Sequence, residues 1–105
     1  MDFFKRTWAE INLDSLRHNA NIIQKSLPSG TEMLAVVKAD AYGHGDRAVS
    51  RELEDIGVSW FGVSNLEEGI SLRAAGIRGQ ILIFGFTPPS LAKELAQHRI
   101  IQAVL

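Results

Sequence analysis

Short apolar runs alternate with amphipathic stretches about every twenty residues, and that cycle restricts the chain to a few folds. "MLAVVKA" (33–39), "WFGVS" (60–64) and "ILIFG" (81–85) are each followed by residues with helical spacing, and "IIQAVL" (100–105) begins a fourth run. Runs this short and continuous read as parallel strands buried on both faces. The stretches between them read as the crossover helices of right-handed βα units. Two architectures fit, a doubly wound sheet or a (β/α)8 barrel, and neither period nor composition separates them. A barrel needs roughly 250 residues. A chain of 105 residues would therefore be the first part of one.

The boundaries follow from local chemistry. "TWAEINL" (7–13) reads as a short strand. Asp14 is expected to cap a helix through "SLRHNANIIQKSL", with Leu16, Ala20, Ile23 and Leu27 on one face and "PSG" (28–30) as its stop. "GDRAVSRELEDIG" reads as a helix with Val49, Leu53 and Ile56 on one side and Gly57 at its C-terminal turn. Asn65 with Glu68 has the spacing of a capping box for "LEEGISLRAAG", which Gly76 closes. Thr87 is expected to cap "SLAKELAQH", with Pro88 at the first helical position.

Composition excludes several function classes. There is no cysteine, so neither a disulfide nor a thiolate site. The formal net charge of −1 leaves no basic footprint for nucleic acid. At 46% hydrophobic residues the chain can bury a core. The start has neither the apolar core nor the cleavage pattern of a signal peptide, and no run is long enough to span a bilayer. A cytoplasmic protein without a membrane segment is the expectation. There is no metal-ligand spacing, no Ser-His-Asp arrangement and no dinucleotide fingerprint.

Lys38 is the residue that asks for a chemical explanation. It stands at the carboxyl end of an apolar strand, where parallel α/β folds gather their functional groups. An ammonium there loses hydration, which favours the neutral amine. A neutral amine is a nucleophile that can form a Schiff base with an aldehyde. The simpler reading is a strand-end lysine that snorkels to water. The following residues shift the balance. Tyr42 brings a hydroxyl, and Gly43 and Gly45 leave backbone amides unobstructed before a helix N-terminus, which attracts negative charge. An amine beside a phenol and an anion-friendly turn suits an aldehyde that carries a phosphate.

These residues also carry a family resemblance. "AVVKADAYGHG" resembles the pyridoxal-phosphate attachment motif of alanine racemases. "TWAEINLDSLRHN", "FGVSNLEEGISLRAAGI" and "ILIFG" are similar to the family's opening segments in order and spacing. The resemblance implies the N-terminal part of a pyridoxal-phosphate-binding (β/α)8 TIM barrel, followed in the family by a β-rich domain. Residues 1–13 would be a strand segment associated with that second domain, and 14–105 the first βα units of the barrel. By resemblance, Lys38 forms the internal aldimine with pyridoxal 5'-phosphate, Tyr42 lies near its phosphate, and Val36 and Phe84 line the cofactor site. At Phe84 the family more often has an aliphatic residue.

The implied activity is interconversion of L- and D-alanine, which supplies D-alanine for peptidoglycan, in a homodimer. Lys38 would be the base on one face of Cα. The family's second acid/base is a tyrosine of the partner's second domain, and nothing in 1–105 can be assigned to it. These residues alone are therefore expected to be an inactive fragment. Alternatives are the serine/alanine racemase domain of a vancomycin-resistance-type protein, of which "GFTPPSLAKEL" is faintly reminiscent, and a non-catalytic pyridoxal-phosphate-binding barrel protein.

The remaining candidates read as structural. His44 is a turn histidine bonded to backbone, His18 a surface residue and His98 a helix-end cation. Asp40 orders the loop, Glu67 and Glu68 serve the helix N-terminus, and Trp8 and Trp60 are packing residues.

Overall fold

The structure is a computed structural model and describes residues 10–104. Of the strand expected over 7–13, residues 7–9 lie outside the described residues, as does Trp8. Among the described residues, 10–12 form no strand, and Leu13 already begins helix α1 (Leu13–Ser26). The cap of α1 is Asn12, not Asp14. Asn12 is extended, and its Oδ1 accepts the Ser15 N–H at 3.0 Å. Asp14 sits in the first turn instead, where a carboxylate suits the helix dipole.

Four parallel strands follow: β1 (Leu34–Val36), β2 (Trp60–Val63), β3 (Gln80–Ile83) and β4 (Ile100–Gln102). They lie side by side in the order β1-β2-β3-β4. A doubly wound sheet reverses its strand order at a switch point. These strands advance in one direction only, as the start of a (β/α)8 barrel does. Between them run the turn α2 (Lys38–Tyr42) and helices α3 (Asp46–Asp55), α4 (Leu66–Ala74) and α5 (Ala92–Gln97), the last preceded by a 3-10 turn, Pro89–Leu91.

The core lies between the sheet and its helices. Phe61, Val63, Ile81 and Ile83 alternate along β2 and β3 and are fully buried. Val49 and Leu53 from α3 and Leu72 from α4 join the same cluster, with Leu16 of α1 and Ile56 packed against it. Burying a side chain of this size contributes roughly 1.5–3 kcal/mol. The strands were expected to be buried on both faces, but only one face is covered. On the other, Val36 is 41% exposed and Phe84 44%, because the helices pack on the opposite side. Ile23, expected on the core face of α1, is exposed and lines an open groove beside β1.

Gly57 and Gly76 end α3 and α4 with φ of 100° and 93°, a conformation that favours glycine. The segment before α5 differs from the expectation by one residue. Pro88 is the cap and Pro89 takes the first position of the 3-10 turn. Thr87 does not cap: its hydroxyl bonds the side chain of Gln102, which in turn donates to the Gly85 carbonyl at 2.6 Å. Trp60 packs with its indole N–H on Glu32 at 3.0 Å. Among the described residues, no helix is long and apolar enough to cross a membrane.

Candidate active site

The chain does something unusual where β1 ends. Ala39, Asp40, Ala41 and Tyr42 have φ of 52°, 56°, 54° and 55°, a complete left-handed turn without a glycine. For L-residues this costs roughly 1–2 kcal/mol per residue. Such strain persists only where the surroundings over-determine it, and it clusters at functional sites.

The surroundings here are specific. Ala41 is buried and donates to the Val37 carbonyl at 2.8 Å. The amides of Gly43, His44 and Gly45 turn back onto the carbonyls of Ala39, Asp40 and Ala41 at 2.9–3.2 Å. The Asp46 N–H donates to Asp40 Oδ1 at 2.8 Å, so Asp40 orders the loop, as its position suggested. His44 Nδ1 donates to the Ala41 carbonyl at 2.9 Å, the backbone-bonded turn histidine expected from the sequence. One expectation fails. The amides of Gly43 and Gly45 are not free for an anion, because closing the left-handed turn consumes both.

Lys38 opens this turn, half-buried, and Tyr42 ends it, 63% exposed. Lys38 Nζ lies 6.0 Å from the centroid of the Tyr42 ring. Val36 is the last residue of β1 and pairs with Gly62 of β2. Phe84 follows β3, and its ring lies against the space above Gly62. Val36 and Phe84 thus border one apolar patch on the open face of the sheet, at the strand ends where Lys38 and Tyr42 emerge.

This donor set fits pyridoxal phosphate. A primary amine is present for the aldehyde, an exposed phenol for the phosphate, and an apolar floor beside them. Lys38 would hold the aldehyde carbon, Tyr42 the phosphate, and Val36 and Phe84 would meet the ring. No group of three or more His, Cys, Asp or Glu that could hold a metal occurs among the described residues.

Glu68 is the residue the sequence reading undervalued. Asn65 Oδ1 accepts the Glu68 N–H at 2.9 Å, which is half of the expected capping box. The Glu68 carboxylate does not complete the other half. It accepts the N–H of Ser64 at 2.7 Å and that of Ala39 at 2.8 Å. The Asn-x-x-Glu spacing was legible; its tertiary partner was not. Elsewhere the histidines are structural. His18 is exposed on α1, and His98 Nδ1 donates to the Glu94 carbonyl at 2.9 Å.

Comparisons with known proteins point to one family. The family model described as alanine racemase, N-terminal domain, matches residues 11–105. The chain is 47% identical over 100 residues to an amino-acid racemase of Enterococcus faecalis, covering 95% of this chain and 14% of that protein. It is 42% identical over 103 residues to alanine racemase 1 of Caldanaerobacter subterraneus subsp. tengcongensis, covering 98% of this chain and 26% of that enzyme. Among solved structures, an alanine racemase of Clostridium difficile superposes with a TM-score of 0.90 at 41% identity, over 98% of this chain and 28% of that one. The chain therefore spans between about one seventh and just over a quarter of the length of these relatives.

Proposed function

The chain belongs to the alanine racemase family, and on that premise we propose that the complete protein interconverts L- and D-alanine with pyridoxal 5'-phosphate held on Lys38. The observation that carries the reading is Lys38 at the mouth of a strained turn, with the Tyr42 ring 6.0 Å from its Nζ.

When bound, pyridoxal phosphate draws electron density from the substrate Cα and so acidifies its proton. The protein's part is to hold, orient and move a proton. Lys38 Nζ anchors the cofactor and then accepts the Cα proton on its own face. The Tyr42 hydroxyl donates to the phosphate, the place that the family resemblance implies for it. Val36 and Phe84 exclude water from one side of the ring. Returning a proton to the opposite face needs a second group. Tyr42 is the single tyrosine in these residues, and its place at the phosphate leaves that task to another part of the protein. A tyrosine from the partner in a homodimer, as the family resemblance implies, completes the reading. A cytoplasmic enzyme supplying D-alanine for the cell wall is the corresponding biological role.

A second reading has one observation in its favour. The 47% identity to the amino-acid racemase of Enterococcus faecalis, of which this chain spans 14%, suits a racemase domain within a longer polypeptide, and the serine/alanine alternative comes from the sequence resemblance. Substrate competition between L-alanine and L-serine separates the two readings.

The test of the function is racemisation by the complete protein. L-alanine should convert to D-alanine with added pyridoxal phosphate, and Lys38→Ala should abolish conversion. Borohydride reduction and peptide mapping should place the cofactor on Lys38. Label on Lys25 or Lys93, or conversion that survives Lys38→Ala, overturns the assignment.

A further inference from the structure

We propose that Glu68 is a positioning residue for Lys38: its carboxylate holds the peptide from which the lysine projects. The inference rests on the reading that Lys38 carries the cofactor, and it assigns a role that neither the fold nor the capping pattern requires.

Glu68 is the third residue of α4. A glutamate there ordinarily turns back to the N–H of its own cap residue. Here it reaches out of its own unit. Oε2 accepts the N–H of Ala39, 29 residues away, at 2.8 Å, and Oε1 accepts the N–H of Ser64 at 2.7 Å. Glu68 is itself held, because Asn65 Oδ1 accepts its N–H at 2.9 Å. One carboxylate thus ties the end of β1 to the end of β2. The Ser64 carbonyl in turn accepts the Gly85 N–H at 3.2 Å, which extends the tie to the end of β3.

The bond to Ala39 acts on Lys38 through peptide planarity. The Lys38–Ala39 peptide is a rigid unit, so fixing its N–H fixes the rotation about the Lys38 Cα–C bond. It also fixes the entry into the left-handed region at Ala39, where φ is 52°. The amides of Ala41, Gly43, His44 and Gly45 bond within the turn or to the residue just before it. The Ala39 amide is bonded from a different βα unit. Without that acceptor the first residue of the turn is free to relax to a right-handed or extended conformation, and the direction of the Lys38 side chain changes with it.

The experiment uses the complete protein as wild type, Glu68→Ala and Glu68→Gln, with pyridoxal phosphate as the probe. Attachment to Lys38 is followed by borohydride trapping and peptide mapping. The exposed Lys25 and Lys93 serve as internal references. The visible circular dichroism of the bound cofactor reports its orientation. Loss of a hydrogen bond to a charged group should slow Lys38 attachment roughly tenfold or more in Glu68→Ala. Labelling of Lys25 and Lys93 should not change, and the dichroism should weaken. Glu68→Gln keeps one acceptor oxygen and should recover part of both signals; it decides the matter alone if Glu68→Ala does not fold. Wild-type Lys38 attachment and dichroism in the folded variants overturns the proposal, as does an equal change at all three lysines. Absence of label from Lys38 in the wild type overturns the cofactor assignment itself, a different outcome from either.

Discussion

The ring of Phe84 occupies the space above Cα of Gly62, so that a Cβ on Gly62 would overlap the ring and come 3.0 Å from Leu34 Cδ2. The two residues sit at the ends of neighbouring strands on the open face of the sheet. Gly62→Ala in the complete protein should therefore push the half-exposed Phe84 ring aside and lower stability by about 1 kcal/mol, the low end of overpacking. Adding Phe84→Ala should restore part of that loss, since the two changes share one space. Urea unfolding of both single variants and the double variant provides the measurement. Costs that simply add would mean that the ring does not depend on the glycine.

Tyr42 is expected to bind rather than catalyse. On the proposed reading its hydroxyl donates to the cofactor phosphate. Tyr42→Phe should weaken cofactor binding by about 1.5–3 kcal/mol, or roughly ten- to a hundredfold. Titration of the apoenzyme with pyridoxal phosphate reads this directly. Unchanged affinity with loss of proton exchange in one direction only would make Tyr42 a base instead.

Arg73 closes the opposite end of the sheet. Its guanidinium donates to the carbonyls of Ile77, Gly79 and His98 at 2.8 Å and to that of Arg99 at 2.9 Å. Burial lowers its pKa, with the nearby Arg99 charge adding to the effect, yet a guanidinium stays charged in proteins. Arg73→Ala should destabilise the protein by about 2–4 kcal/mol by orphaning these carbonyls. Arg73→Lys should recover only a minor part, since an ammonium cannot reproduce the fork. A melting temperature that Lys restores in full would show that charge alone matters there.

Asp46 gives stability a pH dependence of known sign. Burial, then the hydrogen bond and charge of Asp40, raise its pKa above the ordinary range. The folded state therefore binds this proton more tightly than the unfolded chain. Stability from the protonated form is present below the unfolded pKa and is lost as pH rises through the folded one. Asp46→Asn cannot titrate. The difference in melting temperature, variant minus wild type, should grow from about pH 3 towards neutrality. A difference that stays flat across that window would remove Asp46 from the account.

Much of the fold is legible in the sequence. The strand–helix cycle follows from burying apolar runs of fixed length, and the glycines at 57 and 76 mark helix ends because their backbone conformation needs them. Lys38 and Tyr42 stand out in the sequence because an amine at a strand end and a phenol four residues on are local features. Asp14 and Thr87 were misplaced as caps because neighbouring residues compete for the same role. Asn12 reaches the Ser15 amide first, and Thr87 is drawn off by Gln102 on another strand.

The sequence by itself determined the four apolar strands, the helices between them and the amine at the mouth of β1, since each depends on residues close together along the chain. The tertiary structure alone decided between a sheet that reverses and one that advances, because strand order is set by long-range packing. It alone showed that the Gly43 and Gly45 amides close the turn rather than face a ligand. It also sent the Glu68 carboxylate to an amide 29 residues away instead of to its own helix. Hydrogen-bond partners of polar groups are chosen in three dimensions, where sequence separation carries no information about distance.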